Sequence, residues 1–268
     1  MLRASLPMYD LPGLQAQTDA WWAALARAFR AEGLQDVPDI LERGGDPAAL
    51  WLSPDLLFSQ TCGYPLTHAL KGRVTLLATP EYDCPGCEGG FYFSEILVRE
   101  DADYGDLTAL KGARAVANEV GSQSGYNVLR AAVAPLAEDG RFFASLRLSG
   151  SHRASMAAVI AGEADVCAVD CVTYRLLAGT QPAAVAGLRR LVASPAAPAL
   201  PYITRGDIAA ADLERLRAGL RSAFADPALQ DLRAELLLHK ILVKPASAYD
   251  CICEMEAGAV ALGYPEVA

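Results

Sequence analysis

Short apolar runs alternate with amphipathic stretches along almost the whole chain, the pattern expected when strands are joined by helical crossovers. Residues 2–8 read as a first strand. After the Pro12-Gly13 break, Trp22, Leu25 and Phe29 recur at helical spacing until Gly33 ends the helix. Segments 37–41, 55–59, 74–79 and 92–98 read as further strands, each bounded by Gly, Pro or Asp.

A second group opens near Asp106. Residues 113–118 read as a strand, Leu129, Val133 and Leu136 mark one face of a helix, and 142–148 read as a strand again. Residues 151–161 carry Met156, Val159 and Ile160 on one side of a helix that Gly162 breaks, and 166–169 follow as a buried strand ending at Asp170. Residues 188–193 complete the group. Leu213, Leu216, Leu220 and Phe224 then fall at helical steps, and 249–262 read as a helix up to Gly263. Two crossings, at 95–104 and at the Pro-rich 195–201, predict an α/β chain with a discontinuous first lobe. That lobe comprises residues 1–97 and 199–268, and the inserted second lobe residues 98–198. With two strands as the hinge, a cleft between the lobes can close around a small ligand.

Composition narrows the function classes. A length of 268 residues with 53% hydrophobic side chains suffices for one large domain or two small ones with a real core. The formal charge of -9 repels a polyphosphate backbone, so nucleic acid is not an expected partner. No apolar stretch approaches the ~18–20 residues that cross a bilayer, so direct membrane insertion is not expected either. The opening Met1-Leu2-Arg3-Ala4-Ser5-Leu6-Pro7 lacks the form of a secretory signal, which predicts a cytoplasmic product if Met1 is the natural start.

Three segments carry candidate chemistry. In Glu119-Val120-Gly121-Ser122-Gln123-Ser124-Gly125-Tyr126, between a predicted strand and helix, glycine permits a tight turn and two hydroxyls join the free N–H groups of a helix start. Such a segment suits phosphate, phosphonate, sulfate or carboxylate, although Ser122 or Ser124 can equally be a simple N-cap. Ser149-Gly150-Ser151-His152-Arg153 repeats the geometry at the next helix start. There the helix dipole should disfavour the His152 imidazolium and a bound dianion should favour it. Asp170 ends an apolar strand, where ligands of α/β sheets bind, and is also placed to cap the helix that follows.

Ser122-Gln123-Ser124-Gly125, Ser151-His152 opening a helix, and Gly162-Glu163-Ala164-Asp165-Val166 followed by Val169-Asp170 together resemble the phosphonate/phosphate-type substrate-binding proteins of ABC transporters. The resemblance covers nearly the whole chain. It implies the two-lobed type II periplasmic-binding-protein fold, with a mixed sheet flanked by helices in each lobe and a two-strand hinge. It further implies that the serines and His152 hold an oxyanion and that Asp170 meets the amino end of an aminophosphonate, with Gln123 and Tyr126 as further candidate ligand residues; Tyr9, Gln60, Thr61 and Tyr64 are the candidates for the opposite wall, and Tyr92 and Ser94 lie beside the outgoing hinge strand. Gln123 stands where a hydroxyl residue is common. The expected partners are a small oxyanion and an ABC transporter permease, and the family's expected compartment is the periplasm. No catalytic group, cofactor or metal is expected. Two other functions share this architecture: a menaquinone-pathway-like enzyme acting on a small carboxylate, favoured by the missing signal, and a cytoplasmic ligand sensor. Against the enzyme, no nucleophile with a positioned base stands out, since His68 and His239 lie in segments that read as a helix and a core-edge region.

Seven cysteines remain. Cys84-Pro85-Gly86-Cys87 invites a redox or zinc reading, but a strand is predicted after it where a thioredoxin-type pair opens a helix, and zinc would need two more ligands at the unusual Cys251-x-Cys253 spacing. A Cys62–Cys87 disulfide is a further expectation for an exported protein, and Cys167 and Cys171 are expected to pack as small apolar residues.

Overall fold

A computed structural model describes all 268 residues. The strands in chain order are β1 (Arg3–Ala4), β2 (Leu56–Gln60), β3 (Val74–Tyr82), β4 (Phe91–Tyr92), β5 (Ser94–Arg99) and β6 (Arg114–Ala117). They continue as β7 (Ser145–Leu148), β8 (Val166–Asp170), β9 (Leu188–Ala193), β10 (Ala197–Pro198), β11 (Tyr202–Arg205) and β12 (Leu238–Leu242). The α-helices are α1 (Gln15–Ala31), α2 (Pro47–Trp51), α3 (Gly63–Thr67), α4 (Val128–Val133) and α5 (His152–Ile160). Four more follow: α6 (Cys171–Thr180), α7 (Ala210–Ala225), α8 (Gln230–Glu235) and α9 (Asp250–Ala261). No helix is long and apolar enough to cross a membrane.

The chain divides into two units, Met1–Phe91 with Pro198–Ala248, and Tyr92–Ala197 with Tyr249–Ala268. In the first, a mixed sheet runs β1-β2-β11-β3-β12, with β11 antiparallel to both of its neighbours. Phe58 on β2 packs among Trp22, Phe29 and Tyr202, and Trp21 meets Phe224 edge-on, so α1 and α7 cover the sheet through their aromatic faces. In the second unit the order is β7-β6-β8-β5-β9, with β6 parallel to β7 and β8 and β5 antiparallel to β8 and β9. Its core joins Ile96, Val98, Leu129, Val133, Val166 and Ala168 to Ala259, Tyr264 and Val267 of the C-terminal segment.

Several elements differ from the sequence reading. Segment 37–41 is not a strand. Pro38 lacks an N–H for a ladder, and the carbonyls of Val37 and Pro38 accept instead from Arg30 Nη2 (2.6 Å) and Trp22 Nε1 (3.2 Å). Of residues 142–148 only Ser145–Leu148 is strand, because the N–H groups of Phe142 and Phe143 donate to the Ala268 carbonyl at 2.7 and 2.9 Å. Residues 249–268 were expected in the first lobe. They pack into the second unit, where Asn127 Nδ2 donates to Ile252 O (3.1 Å) and Arg130 pairs with Glu256 (3.0 Å) and donates to Pro265 O (2.8 Å). The expected Cys62–Cys87 disulfide is not formed.

Candidate functional site

The second unit builds its site where β6 ends. Its last strand residue, Ala117, and the following Asn118 accept from Ser149 N and Gly150 N, both at 2.9 Å, so the loops after β6 and β7 hold one another. From the first loop rises a helix whose opening turn, Gln123–Asn127, is wound as a π-helix, and Asn127 N donates to Ser122 O at 2.9 Å. Ser122 caps this turn, its Oγ accepting from Gly125 N at 3.0 Å. From the second loop rises α5, which Ser151 caps by accepting from Ala154 N at 3.1 Å. Ser124 Oγ and His152 Nε2 then meet at 2.9 Å. The two helix starts expected from the sequence are thus joined by a direct hydrogen bond.

Gly125 makes this approach possible. A Cβ there would lie 1.8 Å from Asn118 Oδ1 and 3.3 Å from His152 Cε1. Asn118 was not singled out in the sequence, although its place at the carboxyl end of a parallel strand was a usable signal. Its Oδ1 is enclosed and makes no hydrogen bond.

Burial pulls the His152 pKa down from 6.5 to about 4, partly opposed by the Ala168 carbonyl, which faces the ring without meeting the geometry of a bond to the enclosed Nδ1. The direction matches the expectation, with desolvation the largest cause. At neutral pH the ring is uncharged, and its tautomer sets which of Ser124 and His152 donates. Hydroxyls, an imidazole and helix-start amides are a donor set for an anion.

Asp170 ends β8 and caps α6, its Oδ1 accepting from Val172 N (2.7 Å) and Thr173 N (2.9 Å). Ser94 pairs with it in register across β5 and β8, which puts both side chains on one face of the sheet, and Ser94 Oγ is buried without a hydrogen-bond partner. Tyr92, two residues earlier, is buried.

Gln123 and Tyr126 make contacts with Asn127, Arg130 and the C-terminal segment. Gln123 is fully buried, with Oε1 accepting from Asn127 Nδ2 (2.6 Å) and Nε2 contacting Met255 Sδ (3.3 Å). The Tyr126 hydroxyl accepts from Val267 N at 3.1 Å, and its ring lies under the Arg130 guanidinium. Both tie the π-turn to the C-terminal segment.

In the first unit, Gln60 donates to Tyr82 Oη (2.8 Å) and Leu200 O (3.0 Å), and Tyr9 meets Tyr82 edge-on. These three residues line a cavity of about 30 Å³, room for a water rather than for a phosphonate. Thr61 is buried, its hydroxyl donating to Cys62 O at 3.3 Å, and Tyr64 stacks on His68 at 3.9 Å.

Comparison with known proteins gives concordant results. A family model described as the periplasmic substrate-binding protein of phosphonate ABC transporters matches residues 54–246. A binding-protein component of an ABC phosphonate transporter from Pseudomonas aeruginosa is similar in structure, with TM-score 0.78, 16% identity, and coverage of 98% of this chain and 87% of that one. PhnD1 from Prochlorococcus marinus in complex with methylphosphonate gives 0.78 at 15% identity, covering 96% and 97%. A Xanthomonas citri protein bound to chloride ion gives 0.73 at 16% identity, covering 98% of both chains. At these identities the likeness is one of fold, that of the periplasmic binding proteins. No curated protein matches the chain by sequence.

Proposed function

The chain belongs to the phosphonate-binding family of ABC-transporter periplasmic substrate-binding proteins, and from that premise we propose that it captures a small oxyanion, a phosphonate or phosphate, between its two lobes for delivery to a membrane permease. The family is one of transport receptors, not enzymes. The observation that carries the ligand class is the Ser124–His152 hydrogen bond, which fixes two capped helix starts against one another. Amide dipoles and the Ser122 and Ser124 hydroxyls then converge on one anion, and a neutral imidazole can take up a proton as the negative charge arrives. Ser94 and Asp170, on the same face of the neighbouring strands, supply an acceptor for an amino or hydroxyl group on the ligand. Methylphosphonate, bound in the Prochlorococcus relative, is the first ligand to try.

Calorimetry of the purified protein against methylphosphonate, an aminoalkylphosphonate, phosphate and sulfate tests this reading. Saturable heat is expected for a phosphonate or phosphate. Ser124→Ala should weaken it by about 1.5–3 kcal/mol, the value of a hydrogen bond to a charged group. Absence of heat and of thermal shift with all four anions overturns the reading.

A further inference from the structure

The Cys84-Pro85-Gly86-Cys87 loop of the first unit is not absorbed by anion capture. Cys87 N donates to Cys84 O at 2.9 Å, closing a β-turn with Pro85 at its second position and Gly86, at φ 88°, at its third. This is a type II turn, whose first and last Cα atoms lie less than about 7 Å apart. A disulfide spans about 4.4–6.8 Å between Cα atoms. The sulfur atoms of Cys84 and Cys87 already lie within 4.8 Å of one another. Cys84 is half-buried and Cys87 buried, so Cys84 is the thiol that a soluble oxidant reaches first. Of the remaining cysteines, Cys62 and Cys167 are buried, and Cys251 and Cys253 stand two apart on α9, a spacing that points them to different helix faces.

We propose that Cys84 and Cys87 form a reversible dithiol–disulfide pair, oxidised by low-molecular-weight disulfides such as oxidised glutathione. The Cys84 thiolate attacks one glutathione sulfur, the glutathione S–S bond breaks, and one glutathione leaves as its thiolate. Cys87 then gives its proton to a leaving thiolate and attacks Cys84 Sγ, releasing the second glutathione as the intraloop S–S bond forms. Two protein thiols are oxidised to one disulfide and one glutathione disulfide is reduced to two thiols. Pro85 and Gly86 hold the turn in the closing geometry beforehand, which favours the intraloop bond over a lasting mixed disulfide. No step depends on anion binding, so failure of either reading leaves the other standing.

The test uses the whole chain, reduced with dithiothreitol, desalted and incubated with oxidised glutathione. Intact mass should fall by about 2 Da, alkylatable thiols in the denatured protein should fall by two, and proteolytic mapping should place the link between Cys84 and Cys87. Dithiothreitol should restore both thiols. Because Cys87 is buried, the control is Cys84→Ser, which should show neither the mass loss nor the intraloop link. Persistence of every thiol, a stable glutathione adduct on Cys84, or a link mapping to any other pair overturns the proposal.

Discussion

Gly125 and Asn118 are in mutual contact so close that a Cβ on the glycine would sit 1.8 Å from Asn118 Oδ1. The Asn118 side chain occupies the place any larger residue would need, with His152 Cε1 beside it at 3.3 Å. Gly125→Ala therefore forces Asn118 or the π-turn to move, at an overpacking cost of about 1–3 kcal/mol. It should also lower anion affinity at least about tenfold by separating Ser124 from His152. The double variant Gly125→Ala/Asn118→Ala should recover much of both losses, and chemical denaturation with calorimetry on the four proteins reads the coupling. Additive effects would show that the two residues do not compete for one space.

His152 should make stability fall as the solution is acidified. Its folded pKa is about 4 against 6.5 in the unfolded chain, so between those values the unfolded state binds more protons. The stability it contributes is present above about pH 6.5 and is lost as pH falls toward the folded pKa, with a slope of at most about 1.4 kcal/mol per pH unit. Urea unfolding of wild type and His152→Asn between about pH 6.5 and pH 5 checks this, since the variant should lose that part of the slope. Equal slopes would mean that the imidazole is hydrated in the folded protein.

What the sequence revealed, and what it hid, follows from where each signal resides. Strands β3, β5, β6 and β8 are apolar runs between breakers, and their positions were legible because burial on a sheet requires such runs. Ser124 and His152 were legible as two helix starts because capping chemistry is local. Strands β11 and β12 went unread: Tyr202–Arg205 is only four residues long and abuts the proline-rich stretch read as a crossing, while Leu238–Leu242 has no breaker between it and α8 and carries the exposed His239 and Lys240. The contacts of Gln123 and Tyr126 were not legible because the residues that receive them, Met255 and Val267, lie more than a hundred positions away. Asn118 was overlooked because its meaning depends on the space above Gly125, which no local pattern encodes.

Arg130 should prove to be the anchor of the C-terminal segment. Its buried guanidinium pairs with Glu256 at 3.0 Å and donates to Pro265 O (2.8 Å) and to Asn127 Oδ1 (2.6 Å). Arg130→Met removes all three bonds. Loss of one partner of a buried pair costs about 3–5 kcal/mol, and because Glu256 keeps some contact with water the expected loss is nearer 2–4 kcal/mol. Hydrogen exchange should accelerate first in residues 249–268 and then in the Ser122–Asn127 turn, to which Asn127 and Tyr126 connect the segment. A uniform acceleration over the second unit would assign Arg130 to general packing instead.

Anion binding should draw a proton onto His152. The free ring is neutral at pH 7 because it is desolvated, with no charged group to offset the burial. A dianion seated beside Ser124 supplies that missing charge and raises the pKa by direct attraction at short range. Between the free and bound values binding takes up protons, so the protein's contribution to affinity rises as pH falls from about 7 toward 5. Phosphonates themselves titrate near neutrality, so the measurement needs separation from the ligand. Calorimetry in two buffers of different ionisation heat gives the total uptake, and the difference between wild type and His152→Asn isolates the imidazole. Binding that persists in both proteins with identical proton uptake would leave His152 as a neutral hydrogen-bond partner of Ser124 and remove charge compensation from the mechanism of capture.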